Sequence, residues 1–415
     1  MMNRRSFLFR SSGFVGASAT VRFLPFAFAE SGNNGNPHTL VVLFLRGGCD
    51  GLNLLSPTGD KAFEAARPPA LRVIGEGEGK GHEIAGASGN PAFLLHREAT
   101  PLAELFQSKH AAAIHACGLN NGTRSHFEAE DMMERGAVET KMKALSTGWL
   151  TRYLTASHQP AVLPAIAASD TLPGSLFGCP DAVAIPNPQE FVLGGEKEQM
   201  EILRALYAEG ASSVHQAGRE ALRALDHVNA KIAREKDGTL TAYHPATGSY
   251  GESPLGLAFQ TVARMARSGL GLRVATVDYG GWDTHQNQND TFANQVKEMS
   301  LACAAFSNDM RAANLPVTLI VMSEFGRRVK SNESNGTDHG HGNVMLLLGE
   351  GLKNGGLVHG KWPGLNTEAL DAGADLSIST DYRAVLCDVI ASRGGLANPH
   401  ELFPGYAAPA RLGIA

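Results

Sequence analysis

Cysteine is scarce in this chain: five in 415 residues, at positions 49, 117, 179, 303 and 387, with no two spaced CxxC. That excludes a thiolate zinc site and a dense disulfide framework, though a single disulfide remains open to a chain in an oxidising compartment. Beyond the N-terminal segment, no stretch approaches the roughly 18 apolar residues that a membrane span needs, so the mature chain is expected to have no span and to be soluble. There are no internal repeats, no low-complexity tract and no clean interdomain linker. Basic residues are outnumbered, 36 to 41, for a formal charge of −5, which argues against nucleic acid as a partner. Charged residues make up 19% and hydrophobic ones 43%, the balance of an ordinary globular protein.

The N-terminus reads as a targeting segment. Asn3-Arg4-Arg5-Ser6-Phe7-Leu8 matches the twin-arginine export pattern. A weakly apolar stretch follows, then Ala27-Phe28-Ala29 as a small-x-small cleavage site. Residues 1–29 are therefore expected to be a signal peptide handled by the twin-arginine translocase, and residues 30–415 a periplasmic or secreted protein. Its removal takes four arginines and no acid, moving the formal charge from −5 to −9.

Patterning places the rest in the α/β class. Thr39–Leu45 is a continuous apolar run, as in a strand buried on both faces of a parallel sheet. Further strands are expected at 111–116, 272–277, 316–322 and 344–348. Helices are expected at 125–135, with Ser125 as N-cap and Glu128 at the capping-box spacing, and at 257–267, 290–313 and 381–392. Residues 197–236 read as a charged helical insertion with apolar positions Ile202, Leu206, Val214, Leu222, Leu225 and Val228. The expectation is one large domain: a mainly parallel sheet flanked by helices, with helical insertions.

Polar clusters follow the strands, where open α/β sheets bind ligands. After the first strand comes Arg46-Gly-Gly-Cys-Asp50-Gly51, in which Asp50 is either a metal ligand or a turn former. Thr123-Arg124-Ser125-His126 stands at a helix start, where backbone N–H groups and the dipole favour an anion or alkoxide. Ser125 is the candidate nucleophile, with Thr123 or a water as alternatives; Arg124 or Arg46 would hold oxyanions. His126 is either a metal or substrate contact or a satisfied histidine. Asp283 and His285, two apart in an extended segment, point to the same side and can share an ion. Glu324 ends an apolar strand, where an unpaired carboxylate is costly; it needs Arg327, Arg328 or a cation. Gly336-Thr-Asp-His-Gly-His-Gly342 packs Asp338, His339 and His341 onto a loop loosened by glycine. Carboxylates and imidazoles are ligands for zinc and similar divalent ions.

In this order, Gly47-Gly-Cys-Asp-Gly-Leu-Asn53, Arg124-Ser-His-Phe127, Gly148-Trp-Leu150, Gly280-Gly-Trp-Asp-Thr-His285, Ser323-Glu-Phe-Gly-Arg327 and Gly336-Thr-Asp-His-Gly-His-Gly342 resemble the bacterial family called domain of unknown function 1501. That family looks related to alkaline phosphatases, sulfatases and cofactor-independent phosphoglycerate mutases. The resemblance implies an alkaline-phosphatase-like fold and two divalent ions, zinc first and manganese, magnesium or calcium next. It also implies hydrolysis of small phosphate, sulfate or related anionic esters, or else a non-catalytic, metal-stabilised periplasmic binding or assembly protein on the same scaffold. The ligands it implies are Asp50, Asp283, His285, Asp338, His339 and His341, with Glu324 competing with Asp338. The adjacent Asp-His pair of the superfamily ends a strand, whereas Asp338-His339 precedes one. The formylglycine signature Cys-x-Pro-x-Arg is absent, which argues against a sulfatase using that group.

Overall fold

A computed structural model describes residues 37–139, 145–187 and 197–415, apart from scattered positions between 211 and 238 and position 408. The expected signal peptide, and Leu225 and Val228 of the insertion, lie outside the described residues.

The described residues build one twelve-stranded sheet. Its strands are β1 (Thr39–Leu45), β2 (Leu55–Pro57), β3 (His82–Gly86), β4 (Phe93–Leu95), β5 (Ala111–Gly118), β6 (Ala165–Ala167), β7 (Ala182–Ala184), β8 (Val274–Tyr279), β9 (Val317–Met322), β10 (Asn343–Gly349), β11 (Leu357–His359) and β12 (Thr380–Asp381). The order is β2-β4-β3-β11-β5-β10-β9-β1-β8-β6-β7, with β12 also on β5. The longer helices are α1 (Thr100–Gln107), α2 (His126–Arg135), α3 (Trp149–Ser157), α4 (Lys197–Ala208), α5 (Pro254–Arg267), α6 (Gln288–Ala312) and α7 (Tyr382–Ser392).

Strand β1 lies between β8 and β9, parallel to both, and all seven of its residues are buried. Alternate side chains serve opposite layers, as a period-2 strand dictates. Val41, Leu43 and Leu45 meet a core that includes Phe259 of α5 and Phe292, Val296 and Phe306 of α6. Leu40, Val42 and Phe44 face Met132 and Met133 of α2, Trp149 and Tyr153 of α3, and Val385 and Val389 of α7. Helices thus cover both faces of a mainly parallel sheet, the three-layer solution to burying it.

Strand β10 departs from the parallel scheme and decides the site. It is antiparallel to both neighbours, β5 and β9. Its first residues therefore lie at the edge where β1, β5, β8 and β9 end. That is how Asp338 and His339, which precede a strand, reach the same rim as residues that follow strands.

The short strands β2, β3, β4, β6, β7 and β11 extend the sheet beyond the expected runs; stretches of three to five residues carry too little pattern to be read. Helix α2 begins as expected, with Ser125 at the N-cap, but the serine side chain makes no capping bond. Glu128 instead accepts from Thr123 Oγ1 at 2.9 Å, so no capping box forms. In the insertion, Ile202 and Leu206 of α4 are exposed rather than core-facing. No helix among the described residues is long and apolar enough to cross a membrane.

Candidate metal centre

Three loops and one helix start meet at the C-terminal rim. The loop after β1 turns through Gly47 and Gly48, whose φ values are +113° and +62°. A Cβ at Gly47 would stand 2.7 Å from the Asp283 nitrogen, and one at Gly48 would strike the Phe325 ring. Glycine is required here because only it takes these angles and this closeness. The turn aims both N–H groups at Glu324 Oε1, each at 2.8 Å. Arg327, almost fully buried, ties the loops together. Its guanidinium donates to the carbonyls of Gly47, Gly48, Trp282 and Thr337 and to Asp283 Oδ1 at 2.6 Å.

Within this frame, His126 from α2, His285 from the loop after β8 and His339 from the loop before β10 point their Nε2 atoms at one place. His339 Nε2 lies 3.0 Å from His126 Nε2 and 2.9 Å from His285 Nε2. Asp283 Oδ1 lies 3.0 Å from His285 Nε2 and 3.1 Å from His339 Nε2. Its Oδ2 is 3.5 Å from His126 Nε2.

The opposite ring nitrogens fix the tautomers. Nδ1 of His126 meets Glu324 Oε1 at 2.6 Å, that of His285 meets Asp338 Oδ1 at 3.0 Å, and that of His339 meets the Arg124 carbonyl at 2.8 Å. An ionised carboxylate or a carbonyl can only accept, so each Nδ1 carries the proton and donates it. Each Nε2 is then the ring's remaining donor atom, a lone pair whenever the imidazole is uncharged. Donors of a tetrahedral zinc ion with 2.0–2.1 Å bonds lie roughly 3.3 Å apart, and His126, Asp283 and His339, whose donor atoms all lie within 4.8 Å of one another, fit such an ion. Imidazoles whose far nitrogen donates to a carboxylate or carbonyl are the usual ligand arrangement. Phe325 packs its ring 4.8 Å from that of His126 and 5.0 Å from that of His339, limiting their rotation.

Burial works to raise the Asp283 carboxyl, yet Arg327 foremost holds it down to about 2, keeping it an anion. The hydrogen bond to Glu324 foremost raises His126, and burial lowers His339.

The sequence candidates therefore divide. Asp283, His285 and His339 come together. His126, weighed for metal or substrate but not counted as a ligand, joins them; its position at a helix start just past β5 was the available signal. Glu324 and Asp338, read as competing ligands, instead orient His126 and His285 from behind. Glu324 is fully buried, and its Oε2 accepts from Ser323 Oγ.

Asp50 is corrected. It is fully buried and stands outside the donor group, Arg67 and Gln288 each donating to its Oδ2 at 2.6 Å and the Asn53 backbone amide to its Oδ1. His341 is corrected too: its Nδ1 faces Asp371 at 3.0 Å and its Nε2 the Leu119 carbonyl at 3.2 Å. Neither arginine is free to hold an oxyanion. Arg46 is gripped by Glu130, Glu134 and Asp278, and Arg124 by Asp375 and Asp371. Of the hydroxyls, Thr123 is committed to Glu128, while the Ser125 hydroxyl makes no hydrogen bond among the described residues. Among the described residues only one group of three or more such donors lies close enough to share an ion, His126, Asp283 and His339, with His285 in contact with it.

Glu324→Gln tests the orienting role. It keeps the shape but replaces the anion behind His126, and outer partners of metal-bound histidines typically contribute 10–100-fold in affinity. Zinc affinity by calorimetry is expected to fall by about that factor with the circular dichroism spectrum unchanged.

In overall shape the chain is loosely similar to the C-terminal periplasmic domain of EptC from Escherichia coli, solved with and without zinc. For the zinc complex the TM-score is 0.36 at 10% identity, over 77% of this chain and 74% of that one. It is similar to the same degree to a phosphonate monoester hydrolase from Silicibacter pomeroyi, TM-score 0.37 at 9% identity, over 86% and 73%. Overlap this loose tells nothing of chemistry. A search of curated proteins finds no match. One family model, described as a protein of unknown function, DUF1501, matches residues 37–388, the whole span from β1 into α7 and every residue of the metal cluster; the chain belongs to that family.

Proposed function

We propose that this chain is an exported, metal-dependent hydrolase of small anionic esters, phosphate or sulfate. The observation that carries the reading is the gathering of His126, His285 and Asp283 around His339 Nε2, with each Nδ1 turned to an acceptor. A divalent ion there, zinc by its donor set, supplies Lewis-acid polarisation of an ester oxygen. His126, Asp283, His285 and His339 would hold it. The start of α2 faces an ester with backbone N–H groups that the Ser125 side chain leaves uncapped, the environment that binds anions. The Ser125 hydroxyl, next to His126, is free to attack; a water is the alternative attacker. With Arg46 and Arg124 both neutralised by acids, the ester's negative charge falls to the ion and to this helix start. The second ion of the sequence reading finds no donor group among the described residues. Export by the twin-arginine route, to periplasm or medium, completes the proposal.

The donor count favours one second reading. With His285 drawn in beside His126, Asp283 and His339, four protein donors would close a tetrahedral zinc, the habit of structural sites, whereas catalytic sites keep a position open. On that reading the metal stabilises a periplasmic binding or assembly protein that turns nothing over.

One assay separates them. Metal-loaded protein is expected to hydrolyse aryl phosphate or sulfate esters, to lose the activity with chelator, and to regain it with zinc or manganese. Ser125→Ala should cut turnover by a factor of at least ~100 if the serine attacks and leave it near wild type if water does. Protein that holds metal yet turns over no ester leaves the structural reading standing.

A further inference from the structure

A second polar constellation flanks the centre. Helix α2 carries His126, Glu130 and Glu134 at successive i, i+4 positions, hence on one face. Glu130 thus stands just over one turn, roughly 6 Å of rise, beyond His126. From the sheet, Arg46 at the end of β1 and Asp278 on β8 complete the group. The guanidinium meets Glu130 Oε2 at 2.9 Å, Glu134 Oε1 at 2.7 Å and Asp278 Oδ1 at 2.9 Å. Three carboxylates around one cation leave a formal excess of two negative charges, with Glu324 adding a further negative field at Glu130.

Resting on the hydrolase reading, we propose that Glu130 donates a proton to the leaving oxygen of the ester. The partners choose Glu130 among the three. Glu134 has both oxygens engaged, one by Arg46 and one by the Gly174 amide. Asp278 is the most open of the three to solvent, which suits a charge. Glu130 uses only Oε2, leaving Oε1 without a hydrogen bond among the described residues, and its side chain keeps 20% exposure. Burial foremost, with Glu324 and Glu134 adding and Arg46 opposing, pushes its carboxyl up to about 7. Burial raises Glu134 too, but its amide partner can accept no proton and favours the anion.

In the step, an attacking hydroxyl oxygen of Ser125 or water bonds to phosphorus or sulfur. The bond to the leaving oxygen breaks with its electron pair on that oxygen, and the Glu130 proton moves onto it. The attacker's own proton passes to bulk water, and bulk water reprotonates Glu130. With Ser125 as attacker, a water then releases the bound group in a second displacement.

The test is Glu130→Gln in the full, metal-loaded chain, read in two ways. Across aryl esters of increasing leaving-group pKa, the loss in kcat/KM is expected to grow, from a few-fold for p-nitrophenyl to about 100-fold for phenyl, within the range general acids supply. A uniform loss, or none, overturns the donor role. The second readout is the melting temperature against pH, which does not depend on turnover. An acid raised in the fold binds more protons folded than unfolded, so wild type loses stability as pH rises from the unfolded value near 4.5. Glu130→Gln should therefore match wild type near pH 4.5, gain on it up to pH 7 and hold a constant lead above. A pH-independent difference also overturns the proposal. Wild type that turns over the esters while the variant fails these patterns sinks the donor alone, whereas wild type without turnover sinks the hydrolase reading and the donor with it.

Discussion

Replacing His339 by alanine is expected to strip the centre of its metal. His339 Nε2 is the hub of the cluster, within 3.1 Å of His126, His285 and Asp283. Losing it removes a donor and also frees the other two imidazoles from their shared focus. Outer partners alone are worth 10–100-fold, so a lost ligand should weaken zinc binding by more than about 100-fold. Elemental analysis after dialysis against a weak chelator should find metal in wild type and a small residue in the variant. Zinc should raise the melting temperature of wild type, because an ion that binds only the folded chain stabilises it, and leave the variant unmoved. A variant that keeps its metal and its zinc-dependent melting shift would mean that the three imidazoles do not form the site.

The second large effect lies at Asp50, and it separates two kinds of importance. Asp50 and Arg67 form an ion pair with both side chains fully shielded from solvent. Arg67 also donates to the carbonyls of Val329, Arg328 and Leu71, so the pair pins the loop after β9 to the segment after β1. Removing one partner of a buried pair strands the other's charge and typically costs about 3–5 kcal/mol. Asp50→Ala should show that loss in urea denaturation, and refolded protein should still bind zinc with near wild-type affinity. Asp50→Ala that kept full stability but lost its metal would restore Asp50 as a ligand and undo the account of the rim.

Asp50 also shows where reading along the chain stops. An aspartate between glycines at a strand's end is the same local pattern whether it meets an ion or an arginine. Arg67 is a near neighbour in sequence, but Gln288 lies 238 positions away, and no spacing rule joins them. Glu324 presents the same difficulty: its burial was legible from the apolar run before it, while its partners, two glycine amides 276 and 277 positions upstream and His126, were not. His126 illustrates the reverse case. A histidine at a helix start is ordinary, and only its meeting with two distant imidazoles makes it a candidate metal ligand.

The amino-acid pattern alone determined the strands and helices of the centre of the sheet, because runs such as Thr39–Leu45 and Val317–Met322 are apolar enough for burial to dictate their form. It also determined that acids and histidines would crowd one rim, since loops at strand ends are where chain reversal exposes polar side chains. The folded arrangement decided which of them lie close enough to share an ion. That depended on β10 running against its neighbours, which carries His339 to the rim, and on Arg327, Arg67 and the carboxylates claiming some groups while leaving three ring Nε2 atoms to meet. Hydrogen bonds between segments hundreds of residues apart set those claims, and they exist only once the sheet has brought the segments together.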